Sequence, residues 1–287
     1  MVSDKRDKNF GLGEQFSYLS LGDRPYSLLV REKGVGRGDQ PISLLSELAY
    51  KKAGTYYSSY SPSPAWFNSR RLAWIVRSLS YVAWSPTHIV TWSNSLKLNI
   101  ITGESMRHLL AEIARVNGYT PPVPKWVNRG AIVGLQGGSK KVREIMSKLR
   151  NAGAEIGGVW LQDWVGKRMS LGYSRLWWNW ELDTDHYSDW NQLRIEMKAE
   201  DTNLLIYMNP MLADTSSKSK YTNNYFLAAK EHLVKDKNGE VFLTSAFSDF
   251  KAGLVNIFKP EAREFLKSLI KKVIKETGAM GMMTDFG

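Results

Sequence analysis

The sequence contains no cysteine. Disulfides, thiol nucleophiles and thiolate metal sites are therefore excluded, and stability has to come from packing. Histidine is almost as scarce, with four in 287 residues and no spacing among them that would hold a metal. No run of eighteen or more apolar residues is present, so no segment reads as a membrane-spanning helix. The opening segment, MVSDKRDKNFGLG, carries charge but no apolar centre, and so does not read as a secretory signal. The expectation is a soluble protein without cofactor or metal, with a cytoplasmic location favoured unless the N-terminus is incomplete.

What the chain does contain is hydrophobic and aromatic: 43% of residues are hydrophobic, with eleven Trp and thirteen Tyr. That composition builds a core and is too rich for a disordered chain. The formal charge is +11. Its Lys and Arg are spread along the chain, and the densest cluster, KSLIKKVIKE at 267–276, reads as the solvated face of a helix. With no groove-reading motif, nucleic acid is not an expected partner. An anionic small substrate stays open.

Residues 1–120 carry short β-branched and aromatic stretches, among them RLAWIVRSLSYVAW and LKLNIITG, divided by SPSP, SPTH and Gly-rich turns. Short strands at such spacing indicate a β-sandwich. SMRHLLAEIARVNG (105–118) has apolar residues at helical spacing, ends at Gly118 and runs into TPPVP, which marks a domain boundary. The rhythm then changes. GAIVGLQGG (130–138) reads as a buried strand, KKVREIMSKLRNAGA as a helix, IGGVWLQDW (156–164) as a strand, WNQLRIEMKAED as a helix, and NLLIYMNP (203–210) as a strand. KPEAREFLKSLIKKVIKETG follows as a helix and AMGMMTDFG as a last strand. Continuously apolar strands alternating with amphipathic helices indicate parallel βαβ units.

In such units the C-terminal ends of strands face ligands. Those ends offer Gln136, Gln162 with Asp163, Asn209, and Asp285. Strands must also exit into polar loops, which would explain any one of these residues without a function. Four strands fall short of the eight that a closed (β/α)₈ barrel requires. The choice is between an open sheet and half a barrel.

The segment GGVWLQDWVGKRMSLGYSRLWWNWELD resembles glycoside hydrolase family 31, and within it the sulfoquinovosidases. The resemblance rests on Trp160, Gln162, Asp163, Trp164, Gly166, Arg168, Met169, Arg175, Trp178, Asn179 and Trp180, in that order. GEQFSYL (13–19), GVGRG (34–38), GLQGG (134–138), YMNP (207–210) and MTDFG (283–287) look like further landmarks of the family, so the likeness covers nearly the whole chain.

It implies a galactose-mutarotase-like sandwich over 1–120, missing its start, and the first half of a (β/α)₈ catalytic barrel over 121–287. It further implies that Asp285 is the nucleophile of a retaining α-glycosidase, with the acid/base beyond the chain end and the isolated chain inactive. Gln136, Gln162, Arg175 and Trp178 match the set that recognises sulfoquinovose, and Asp163 matches an acidic position that contacts sugar hydroxyls in the wider family.

The residue types suit that chemistry. A planar guanidinium and an indole N–H, both pure donors, fit a three-oxygen anion such as a sulfonate. Gln side chains offer donor and acceptor to sugar hydroxyls. Arg175 stacked among the aromatics of RLWWNW is the plainer alternative for that residue.

Three readings stand at this point. One is an α-glycosidase for sulfoquinovosides, another a family 31 α-glucosidase or α-xylosidase acting on a neutral sugar, and the last a non-catalytic carbohydrate binder. A half barrel would expose an open sheet edge, an aggregation hazard. The DFG triplet is shared with kinases, but no V-A-I-K or H-R-D segment accompanies it. RGD at 37–39 is too short to carry meaning, and GVGRGD opens no helix after a strand, so it is no dinucleotide site.

Overall fold

The computed structural model describes residues 7–14, 18–28, 30, 35–37, 41–50, 53–54, 59, 61–78, 80–170, 173–247 and 250–285. Residues 15–17 of GEQFSYL, Gly34, Gly38 and Asp39 of the glycine-rich GVGRGD stretch, and residues 286 and 287 of the terminal MTDFG lie outside the described residues. The chain forms two compact units, Met1–Pro121 and Pro122–Gly287.

In the first unit an antiparallel sheet runs Asn9–Gly13, Pro62–Asn68, Leu72–Val76, Leu98–Thr102 in spatial order. A second antiparallel sheet joins Tyr26–Leu28, Val82–Trp84 and Ile89–Thr91. Residues from both close on one apolar cluster, with Leu12, Trp66, Trp74 and Val76 from the first and Tyr26, Val82 and Trp84 from the second. Trp66 and Trp74 stack at 5.5 Å between centroids, and Trp84 meets Trp66 edge-on at 6.2 Å. The helix expected at 105–118 spans Met106–Asn117. Ser105 Oγ accepts the His108 N–H (3.1 Å), and Gly118 follows at positive φ. A helix at Pro41–Tyr50 replaces the strand rhythm expected there.

The second unit is built on four parallel strands in sequence order, Ala131–Leu135, Ile156–Leu161, Asn203–Met208 and Gly281–Thr284. Helices follow the first three, at Gly138–Asn151, Trp190–Ala199 and Pro260–Thr277. Each turns a short apolar stripe inward: Val142 and Met146, then Trp190, Leu193 and Met197, then Leu269 and Val273. Pro260 opens the last helix and Gly278, at φ 65°, closes it. Arg143 bridges the first two helices, bonding Glu196 and Asp189 at 2.6 Å each.

The middle strands are buried, with Val159, Leu161 and Ile206 wholly enclosed. The segment 130–138 departs from the buried strand expected: Ala131, Ile132 and Gly134 are exposed. Its apolar content matches the interior strands. Within residues 1–287 this strand pairs with one neighbour, Ile156–Leu161, and its other side is open. Two further pieces went unforeseen. One is the hairpin Lys167–Ser170 with Tyr173–Leu176, and the other is a small sheet of Met211–Ala213, Phe250–Leu254 and Leu243–Phe247.

Candidate functional site

Parallel register brings the candidate strand ends to one edge of the sheet. Leu135 lies beside Leu161, Leu161 beside Ile206, and Met208 beside Thr284. Gln136 and Gln162, each one residue past a paired leucine, meet directly, and Gln136 Nε2 donates to Gln162 Oε1. Asp285 extends the ladder by one bond, its N–H donating to Met208 O at 3.2 Å. Its Oδ2 accepts the Tyr207 hydroxyl at 3.0 Å.

Indoles hold this edge together. Trp164 Nε1 donates to Tyr207 O (2.8 Å) and Trp160 Nε1 to Ile206 O (3.1 Å), tying the second strand and its exit to the third. Trp180 Nε1 does the same to Met211 O at 2.9 Å. A buried indole requires an acceptor, and carbonyls at strand ends supply one.

Asp163 differs from the expectation. It has no exposed surface, so a sugar cannot touch it. Both its oxygens are occupied: Oδ1 by the Tyr187 hydroxyl (2.6 Å), Oδ2 by the Gly137 N–H (2.8 Å), His186 Nε2 (2.6 Å) and Lys167 Nζ (3.1 Å). Burial alone would raise its pKa. Hydrogen bonds from His186, Tyr187 and the Gly137 N–H outweigh burial and bring it from 3.8 down to about 2. Burial, with the Asp163 charge beside it, pushes the Tyr187 phenol well above its ordinary range.

Asp163 therefore caps the helix Gly138–Asn151 from a neighbouring strand, placing a carboxylate where N–H groups lack partners. The cap also ties the two glutamines, since Asp163 follows Gln162 in the chain and Gly137 follows Gln136. The turn it grips needs glycine: Gly138 sits at φ 79°, and a Cβ there would come within 2.5 Å of His186 O. Gly138→Ala should lower unfolding free energy by about 1–3 kcal/mol, read from urea melts. An unchanged midpoint would mean that the turn relaxes freely.

Arg175 stands opposite Arg168 in the hairpin, half-buried. The Arg168 guanidinium lies 4.5 Å over the Trp177 ring, with Lys218 Nζ 6.0 Å from the same ring. Lys218 is itself held by Asp183 Oδ2 (3.1 Å) and Val165 O (3.0 Å). Trp178, half-buried at the hairpin's exit, accepts the Ala213 N–H through its carbonyl at 2.8 Å. Sequence reasoning missed His186, Tyr187 and Tyr207. The one available signal was Tyr207 in YMNP, two positions before Asn209 and so on the same face of an extended segment.

Residues 121–287 match the family model "Glycosyl hydrolases family 31 TIM-barrel domain". The chain belongs to glycoside hydrolase family 31. Its relatives include the sulfoquinovosidases of Escherichia coli (strain K12) and Agrobacterium fabrum, each 29% identical to this family 31 chain over its whole length. The chain spans 42% and 43% of those two proteins. Among solved structures, a family 31 sulfoquinovosidase from E. rectale in complex with the aza-sugar inhibitor IFGSQ superposes with a TM-score of 0.91 at 29% identity. That match covers 100% of this chain and 43% of the other. A family 31 α-xylosidase from a soil metagenome, complexed with xylose, shares the fold at TM-score 0.73 and 16% identity, over 99% of this chain and 37% of that one. The four parallel strands are thus part of a family 31 TIM-barrel domain, and the chain is partial with respect to these relatives.

Proposed function

We propose that residues 122–287 are the nucleophile-bearing half of a retaining α-glycosidase for α-sulfoquinovosides. The observation that carries this reading is Asp285 at the mouth of the fourth parallel strand, held by the Tyr207 hydroxyl on the sheet edge that presents the Gln136–Gln162 pair. The family assignment and the names of the relatives support it.

In the first half of the reaction the Asp285 carboxylate attacks the anomeric carbon while a second carboxyl, outside residues 1–287, protonates the departing oxygen. Water then releases the sugar from the resulting ester with retention. Gln136 and Gln162 bond the sugar hydroxyls, the Arg175 guanidinium and Trp178 indole N–H take the sulfonate, and Asp163 keeps the two glutamine loops in register.

Paired substrates test this in the longest expressed form of the protein. An aryl α-sulfoquinovoside should be cleaved in preference to the matching α-glucoside. Arg175→Lys removes the planar fork and should reduce kcat/KM on the sulfonated substrate by roughly 10- to 150-fold, the range for hydrogen bonds to a charged group. Its effect on the glucoside should be small. Equal losses on both would give Arg175 a structural task and shift the substrate to a neutral sugar.

A further inference from the structure

The direction of each hydrogen bond around Asp285 follows from one donor that has no choice. The Met211 backbone N–H can only donate, and it donates to Asn209 Oδ1 at 2.9 Å. That fixes which way the Asn209 amide faces, leaving its Nδ2 toward the Tyr207 oxygen at 3.0 Å. An amide nitrogen only donates, so the phenol oxygen accepts there and its own proton turns to its other neighbour, Asp285 Oδ2, at 3.0 Å. Asn209 and Tyr207 are each 2% exposed, so water does not compete for the link between them, and Asp285 is half-buried. The Tyr207 ring is further held between Trp160 and Trp180, with centroids 6.4 and 6.0 Å away, and its carbonyl by Trp164.

From this one-way chain we infer that Asn209 and Tyr207 are positioning residues for the nucleophile: Asn209 turns the Tyr207 hydroxyl onto Asp285, which orients the carboxylate. The inference rests on the proposed role of Asp285. It adds that a residue with no contact to substrate sets the attack rate through one intermediary.

The test uses α-sulfoquinovosyl fluoride, whose leaving group departs as fluoride with the bonding pair and needs no proton. Attack by Asp285 is thereby separated from the general-acid step, and fluoride release is followed in the longest expressed form of the protein. Tyr207→Phe removes one oxygen and should lower kcat about 10- to 100-fold, with KM changed less than about 3-fold, as for an interaction made chiefly in the transition state.

Asn209→Ala should give a similar loss alone and no further loss in the Tyr207→Phe background, since residues acting in series couple fully in a double-mutant cycle. Should Asn209→Ala fold poorly, Asn209→Asp takes its place; it keeps the acceptor for Met211 and lacks the donor for Tyr207. An unchanged kcat in Tyr207→Phe, or a loss from Asn209→Ala that persists in full without the Tyr207 hydroxyl, overturns the relay while leaving Asp285 as nucleophile. Fluoride release by Asp285→Asn at the original rate, or none from the unaltered protein, overturns both.

Discussion

Asp285→Asn should abolish cleavage of an aryl α-sulfoquinovoside, with turnover falling by about 10⁴-fold or more, the scale seen when a covalent nucleophile is deleted. The amide has the size of the carboxylate and its carbonyl oxygen still accepts from the Tyr207 hydroxyl, so the strand end keeps its shape. What it lacks is negative charge, and without that neither the attack nor the ester intermediate is available. Melting temperature should therefore stay within a degree or two while activity vanishes.

Asp285→Gly sharpens the result by opening space beside the anomeric carbon. Added azide should then restore cleavage and yield the β-glycosyl azide, because it would attack from the face assigned to Asp285 in the proposed mechanism. Undiminished turnover by the Asn variant would remove Asp285 from the mechanism, and azide rescue to the α-azide would put the nucleophile on the wrong face.

The legible parts of the second unit were those governed by composition. Strands such as Asn203–Met208 and helices such as Pro260–Thr277 declare themselves by apolar runs, a proline start and a glycine stop. Neighbourhood was not legible. Nothing in AIVGL tells which of its side chains lie open within residues 1–287, where the strand pairs on one side only and Ile132 is exposed. The hairpin Lys167–Leu176 and the small sheet through Phe250–Leu254 are made of short strands that pair with each other, and they reach the core through Leu176 and Leu212 among others far apart in the chain.

The same division runs through the site. Gln136, Gln162 and Asp285 stand at strand exits, where βαβ geometry alone singles them out. Asp163 stands at the same kind of exit and faces inward, because its partners His186 and Tyr187 come from a loop more than twenty residues further on. Tyr207 is the converse case. It lies in an otherwise apolar strand, and its hydroxyl is the part that reaches the candidate nucleophile.

Asp163 also sets the largest expected stability effect. Asp163→Asn replaces a carboxylate that accepts from Tyr187, Gly137, His186 and Lys167 with a group that has one acceptor oxygen and one nitrogen donor. At least one of those donors then faces a donor inside a closed site, and the loss should be about 3–5 kcal/mol at neutral pH, as for breaking a buried charged pair.

The pH dependence follows from the carboxyl being held at about 2 when folded against 3.8 as its ordinary value. A depressed carboxylate adds stability above the unfolded pKa and loses that contribution as pH falls through the folded one. The contribution is about 2 kcal/mol, complete above pH ~5 and lost between pH ~4 and ~2.

Asp183, Asp189 and Asp214 are held low as well, so total stability falls in acid whatever Asp163 does. The informative quantity is the difference between parent and Asp163→Asn in urea midpoints at pH 7, 5, 4 and 3. It should be constant from 7 to 5 and shrink below 4, where the parent begins to lose the charge that the variant never had. A difference that does not vary with pH would mean that Asp163 acts through shape rather than charge. A variant as stable as the parent at pH 7 would release Asp163 from its capping role altogether.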